Sequence, residues 1–292
     1  MKRIWLVFVL LLFVGLPAFG QDYSKLRIIA FGAHPDDCDS RAGGVAAKFA
    51  AAGHLVKFVS VTNGDAGHYE QGGGALAQRR RAEAIEAGRR IGIEYEVLDN
   101  HDGELLPTLE VRRQIIRKIR EWKADIVMGP RSNDYHPDHR YTGMLVQDAA
   151  YMVTVPNIVS DTPALRRNPV FLYFSDRFQR PQPFRPDIVV AIDDVIDKKV
   201  DMFDAHVSQV YEWLAWHAGR LEEVPKDPAA RKEWLRAGRT WRVPPEWRES
   251  LQEWYGAAAA SVEQAEAFEI AEYGRRPDET EIRRLFPFFP EK

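Results

Sequence analysis

Two short stretches concentrate side chains able to hold a metal ion and to move a proton. The first is Ala33-His34-Pro35-Asp36-Asp37, and the second is Asn133-Asp134-Tyr135-His136-Pro137-Asp138-His139. His34 and Asp37 stand three apart, as do His136 and His139. Residues at that spacing project the same way where a chain enters a helical turn. Two imidazoles and one carboxylate make a common open site for a divalent ion, with water completing the coordination. Zinc held in this way lowers the pKa of its water to about 7, and a neighbouring carboxylate outside the ligand set can take the proton. N-cap aspartates and turn prolines put the same residue types at helix starts for ordinary structural reasons. That alternative accounts for one such cluster; two clusters at corresponding places in the chain favour a shared site.

The elements that must position these side chains are legible in the apolar pattern. Short apolar runs at 26–31, 55–62, 95–98, 126–129 and 170–174 alternate with helical segments at 40–52, 78–91, 109–122 and 142–153. Ser40 is of the N-cap type for the first helix. Val111, Ile115, Ile119 and Trp122 recur at helical spacing and mark a buried stripe on the third. Strand and helix in alternation imply right-handed βαβ units, hence an α/β fold with a Rossmann-like, mostly parallel sheet and helices on both faces. Both clusters then follow strands and face each other at the carboxyl edge, where open α/β sheets bind ligands. The long 63–74 connection is glycine-rich but fits neither GxGxxG nor GxxxxGK[ST], which argues against a nucleotide. It reads as a mobile loop covering a substrate.

Composition sets the outer limits. A chain of 292 residues, 45% hydrophobic and 28% charged, can build a sizeable core. Residues 1–20 have the form of a signal peptide: Lys2 and Arg3, an apolar stretch over 4–16, then Ala18-Phe19-Gly20 before Gln21. The apolar stretch falls short of the roughly 20 residues that span a bilayer. The chain is therefore expected to be exported, periplasmic or extracellular, with no stable membrane span after cleavage. Losing Lys2 and Arg3 takes the formal charge from −3 to −5; an acidic chain without basic runs is not built to bind nucleic acid. The single cysteine, Cys38, permits no intrachain disulfide and reads as a small packing residue. After the prolines at 181, 183 and 186, a strand at 187–192 and a helix at 194–206 complete a catalytic domain over 21–210. Six of the eight tryptophans fall later, so 211–292 reads as a small helical extension packed on that domain. Its indole rings serve as packing anchors, with stacking on sugar faces as the alternative.

The motifs also resemble a family. Ala33-His34-Pro35-Asp36-Asp37, then Thr62-Asn63-Gly64-Asp65-Ala66-Gly67, then His136-Pro137-Asp138-His139 are similar, in kind and order, to the PIG-L/LmbE-like zinc-dependent de-N-acetylases. Arg79-Arg80-Arg81-Ala82-Glu83 and His206-Val207-Ser208-Gln209 add to the resemblance, which covers residues 26–209 and leaves the tryptophan-rich part outside. The resemblance implies that His34, Asp37 and His139 bind zinc, with ferrous iron as the alternative, and that Asp36 is the general base. His136, as an imidazolium, would stabilise the oxyanion and protonate the departing amine. Asp138 would hold His136 and raise its pKa. Arg80 would contact the substrate. Tyr135 is a further candidate for substrate contact, and His206 either lines the pocket or packs under the sheet. Asp65 either braces the ligands or is a turn residue. The implied activity is hydrolysis of the acetamide of an N-acetylglucosamine-type sugar or glycoconjugate, the partner being a small molecule or glycan with an N-acetyl group. Two alternatives stand beside it: another metal-dependent amidase or esterase using the same site, and a non-catalytic glycan-binding module.

Overall fold

Alternation along the first strand sorts the core onto two faces. The computed structural model describes residues 25–238 and 241–290. Its strands are β1 (Arg27–Gly32), β2 (Leu55–Thr62), β3 (Glu94–Asn100), β4 (Ile126–Gly129), β5 (Val170–Phe174), β6 (Ile188–Ala191) and β7 (Ala265–Ile270). The first four helices are α1 (Asp37–Ala51), α2 (Gly73–Ile91), α3 (Leu109–Trp122) and α4 (Pro137–Met152). Ile28 and Ala30 of β1 pack with Val45 and Phe49 of α1. Ile29 and Phe31, pointing the other way, pack with Ile115 and Ile119 of α3 and Leu145 and Ala149 of α4. The stripe expected on α3 is buried as read, and Thr108 caps that helix by accepting from the Val111 backbone N–H at 3.3 Å.

The strands lie in the order β3-β2-β1-β4-β5-β7-β6. β1 through β5 are parallel, so the Rossmann-like, mostly parallel sheet covered on both faces is the fold observed. The chain runs outward from β1 through β2 to β3, then returns to place β4 on the other side of β1. Connections leaving β1 and β4 therefore diverge, and the crevice between them is the switch point where such sheets bind ligands. Both clusters emerge there.

Three helices begin earlier than the apolar pattern suggested. The α1 helix starts at Asp37, with Asp36 at the N-cap position, and Ser40 lies inside the first turn, its N–H donating to the Asp36 carbonyl at 3.0 Å. The α4 helix starts at Pro137 rather than 142, and α2 at Gly73 rather than 78. Hydrophobic periodicity detects only turns that face the core; the first turns of α1 and α4 carry the clustered His and Asp at the crevice, and α2 opens on the exposed residues 73–75.

The C-terminal part also needs correction. After α5 (Ile196–Ala205) it adds the helices α6 (Leu214–His217), α7 (Pro228–Gly238), α8 (Arg248–Tyr255) and α9 (Glu279–Leu285), but it is more than a helical extension packed on the outside. Its strand β7 lies inside the sheet, antiparallel to both β5 and β6. Glu266 and Glu269 hid this strand from the apolar pattern, because both are buried. Glu266 accepts from the Gly44 and Val45 N–H groups of α1 at 2.9 and 2.7 Å and pairs with Lys199. Several tryptophans do anchor packing, Trp254 stacking on Phe289 with centroids 5.0 Å apart. Cys38 is buried and unpaired. No helix among the described residues is long and apolar enough to cross a membrane; the segment read as a signal peptide, 1–20, lies outside them.

Candidate active site

At the end of β1 the chain passes through Ala33, His34 and Pro35 to Asp36, whose φ of 145° lies in a region that favours glycine. Strain of this kind persists where surroundings impose it. Here the buried Arg80 guanidinium does so, donating to the Pro35 and Gly64 carbonyls, each at 3.2 Å, while it also reaches Asp36 Oδ1 and Asp102 Oδ2, both at 3.4 Å. Gly32 is needed one turn earlier, since a Cβ there would stand 2.7 Å from Asp37 Cβ. From β4, the second cluster enters α4 with His136 as N-cap, its Nδ1 accepting from the Asp138 N–H at 3.2 Å.

These two turns bring three donor atoms together. His34 Nδ1 and His139 Nε2 are 3.2 Å apart, His139 Nε2 and Asp37 Oδ2 3.3 Å, and His34 Nδ1 and Asp37 Oδ2 3.6 Å. Ligands about 2.0–2.1 Å from a tetrahedral ion stand about 3.3–3.4 Å from one another, so this trio fits a divalent metal. The second nitrogens fit as well. His34 Nε2 faces Asp102 Oδ1 at 3.0 Å and Asp138 Oδ2 at 3.3 Å, and His139 Nδ1 faces Asp134 Oδ1 at 3.1 Å. Carboxylates in that position fix the tautomer and aim the other nitrogen's lone pair at the metal. Two further trios are close enough for an ion: His34, His136 and His139, and His34, Asp102 and Asp138. The second of these is already engaged, because Asp138 accepts from the Gly103 and Leu105 N–H groups at 2.7 and 3.3 Å and Asp102 faces Arg80.

The electrostatics express the same demand for a cation. Burial alone would lower the pKa of His139, but Asp37 and Asp134 outweigh it and push the ring up to about 9. Burial likewise opposes the charged form of His34, and hydrogen bonds to Asp102, Asp138 and Asp37 raise it well above the usual imidazole value. Burial works to raise the Asp37 carboxyl, but His139 and His34 hold it well below the carboxylate range. Its neighbour behaves in the opposite way. Burial lifts Asp36, and the Asp37 charge adds to that lift against the pull of Arg80.

The structure brings together five of the residues singled out in the sequence, His34, Asp36, Asp37, His136 and His139, and reassigns the contacts of others. Asp138 does not clamp the His136 ring. Its carboxylate, fully buried, contacts His34 and two backbone N–H groups, and only its own N–H meets His136. His136 is not poised as an imidazolium: burial first, then the charges of His34 and His139, lower its pKa, and Nδ1 already serves as an acceptor. Arg80 is 2% exposed and holds the turn and Asp36 rather than reaching outward to a substrate. His206 takes the second of its two expected places. It lies fully buried beneath α1, with Nε2 3.0 Å from Asp39 Oδ1, and cannot touch a substrate. Tyr135 stands at the open rim, 74% exposed, its ring 5.6 Å from that of His139. Asp65 braces the site at one remove, accepting from the Asp102 N–H at 3.0 Å. The glycine-rich loop is pinned rather than loose: Gln209 donates to the Gly67 carbonyl at 2.9 Å, and Tyr69 stacks on Trp216.

Sequence reasoning gave no part to Asp102 or Asp134, which orient the two imidazoles. Asp134 lay within the second cluster. Asp102 follows β3 in Asn100-His101-Asp102-Gly103, and a carboxylate at a third strand's carboxyl end was the available signal.

Comparison with known proteins points the same way. The pattern of the PIG-L family, described as GlcNAc-PI de-N-acetylase, matches residues 29–150, which include both clusters. The chain is 30% identical over 203 residues to diacetylchitobiose deacetylase of Thermococcus kodakarensis, spanning 65% of this chain and 73% of that one. It is 27% identical to mycothiol S-conjugate amidase of Streptomyces coelicolor, over 54% of this chain and 63% of the other. The structure of N,N'-diacetylchitobiose deacetylase from Pyrococcus horikoshii superposes with a TM-score of 0.62 at 24% identity, covering 84% of each chain. GalB, the 4-carboxy-2-hydroxymuconate hydratase of Pseudomonas putida, matches with the same score at 20% identity, over 87% of this chain and 99% of its own. One fold thus carries more than one chemistry, and function has to be argued from the site.

Proposed function

Because the chain belongs to the PIG-L/LmbE-like de-N-acetylase family, we propose that it is a metal-dependent deacetylase hydrolysing the acetamide of an N-acetylglucosamine-type sugar or glycoconjugate. The observation that carries this reading is the trio His34, Asp37 and His139, with donor atoms 3.2–3.6 Å apart, beside Asp36. Those three residues would hold zinc or ferrous iron, which when bound supplies Lewis acidity for the amide carbonyl and for a water.

The remaining chemistry falls to side chains. Asp36 has one oxygen near Arg80 and the other without a hydrogen bond among the described residues, and its raised pKa suits it to take a proton from the attacking water. His136, neutral with Nδ1 on the Asp138 N–H, has its Nε2–H left to donate to the oxygen that gains charge. One such positioned donor is worth about 2.7–4 kcal/mol. The proton required by the departing amine returns from Asp36. Tyr135, exposed at the rim, would meet the rest of the substrate. Export is part of the proposal and rests on residues 1–20 of the sequence.

Acetate release from a panel of N-acetylated amino sugars, with and without a chelator, tests this reading. Release that the chelator abolishes and added zinc or ferrous iron restores supports it. No acetate from any member, with cleavage of a different amide or an ester, replaces it with the broader metalloamidase or esterase reading. Sugar binding that survives chelation and Asp36→Asn, without turnover, replaces it with a glycan-binding module.

A further inference from the structure

A small cavity adjoins the metal-binding trio on the side of Asp37 and His139. Arg41, Ser175, Phe174 and the Arg131–Asp176 pair complete its polar and aromatic walls, and the space open to water-sized atoms is ≈ 20 Å³. That leaves room for two water-sized atoms, such as the two oxygens of one carboxylate whose remainder stays outside, and excludes a sugar ring.

The charged side chains that line it are almost all engaged. Asp37 faces both imidazoles, Asp134 faces His139, and Arg131 grips Asp176 through two contacts of 2.6 Å. The side chains of Arg41 and Ser175 are the exceptions: neither side chain makes a hydrogen bond or ion pair with any described residue. Arg41 lies four residues after Asp37 on α1, so both project from one face of that helix. Arg41 is exposed, has no side-chain partner among the described residues, and lines this cavity from the helix face that carries Asp37; its guanidinium is of the planar type that matches the two oxygens of a carboxylate.

We propose that Arg41, with the Ser175 hydroxyl, forms a carboxylate-binding subsite beside the metal-binding trio. The inference rests on the hydrolase reading, whose reaction ends in acetate. Two sources supply the same chemistry: the acetate released in the reaction, and a carboxylate carried by the substrate's own sugar.

The test uses the full, metal-loaded protein and compares wild type with Arg41→Gln and Arg41→Lys. Product inhibition by sodium acetate is measured against a sodium chloride control, and kcat/KM is measured for an N-acetylated sugar with and without a lactyl carboxylate. If acetate is the occupant, Arg41→Gln raises the acetate inhibition constant about tenfold, and Arg41→Lys, which keeps the charge but loses the fork, raises it less. If the substrate's carboxylate is the occupant, the preference for the acidic over the neutral sugar falls about tenfold in Arg41→Gln. Acetate held by the metal alone inhibits all three proteins equally; that result, with an unchanged substrate preference, overturns the subsite. Should no N-acetyl sugar be hydrolysed, acetate titration followed by carbon-13 line broadening needs no turnover. Tenfold weaker binding to Arg41→Gln then keeps the subsite while the hydrolase reading falls, and equal binding removes both.

Discussion

His34 Nδ1 and His139 Nε2 stand 3.2 Å apart although their residues are 105 positions apart in the chain. The sheet topology makes this possible. β1 and β4 are neighbours, with Ala30 opposite Met128, and each is followed within a few residues by its own cluster. The crevice at the switch point therefore converts two strand-end turns into one site. The imidazoles would repel one another if both stayed protonated, and the surrounding Asp37, Asp102, Asp134 and Asp138 invite either those protons or a metal ion in their place.

This exchange gives a pH dependence of known sign. His139 titrates near 9 in the folded, metal-free protein, against an ordinary value of 6.5. A raised folded pKa contributes stability that is fully present below pH 6.5 and is lost as pH rises through 9. Chelated protein should therefore lose thermal stability between about pH 6.5 and 9, with His34 acting in the same direction. Metal affinity should rise over the same window, because the ion displaces protons from both rings. Melting curves of chelated protein and metal titrations in buffers of different ionisation enthalpy check both halves. A melting temperature flat across the window would contradict the assignment.

Asp36 and Asp37 are adjacent carboxylates in opposite electrostatic states, one lifted and one depressed. Asp36→Asn should keep about one metal ion per chain, measured by elemental analysis, while kcat falls by about 10²–10⁴. Asp37→Asn should lose the metal first. An Asp36→Asn protein that has lost its ion would reverse the division of labour between the two.

The parts of this architecture that could be read from sequence are those set by local pattern. Apolar runs revealed β1 through β6, and the density of His and Asp at the ends of β1 and β4 revealed where a site lies. β7 escaped because Glu266 and Glu269 are buried within it, and a charge reads as exposed until its partner is known. Partners were the general obstacle. Arg80 binds back to Asp36 across 44 positions, His206 reaches Asp39 across 167, and Asp138 turns to His34 across 104 rather than to His136 two residues away. No periodicity encodes such pairings; they follow from which strands lie side by side.

The reassignment of Asp138 separates two variants that the sequence would have treated alike. Asp138→Ala removes the acceptor of two backbone N–H groups and a contact to His34. It should weaken metal binding by about 10–100-fold and lower stability by about 1–3 kcal/mol for each donor left unsatisfied. His136→Ala should leave the metal in place and lower kcat by about 10²–10³. Metal affinity and kcat at saturating metal, measured for both, distinguish the roles. If Asp138→Ala binds metal normally and loses only kcat, the two residues act as a pair after all.

Glu266 ties the C-terminal strand to the helix that carries Asp37. Its carboxylate accepts from Gly44 and Val45 within α1 and pairs with Lys199, whose ammonium also donates to the Ser40 carbonyl at 2.8 Å and lies over the Trp241 ring. Glu266→Leu would take the counter-charge from a buried ammonium and the acceptor from two N–H groups, so it should destabilise the fold by about 3–5 kcal/mol. Lys199→Met leaves the carboxylate with both N–H donors and should cost less. The double variant should recover part of the Glu266→Leu loss, because no unpaired ammonium remains. Urea denaturation of the three proteins measures the order. Equal losses for the two single variants would mean that the ion pair, rather than the bonds from Glu266 to α1, joins the C-terminal strand to the site.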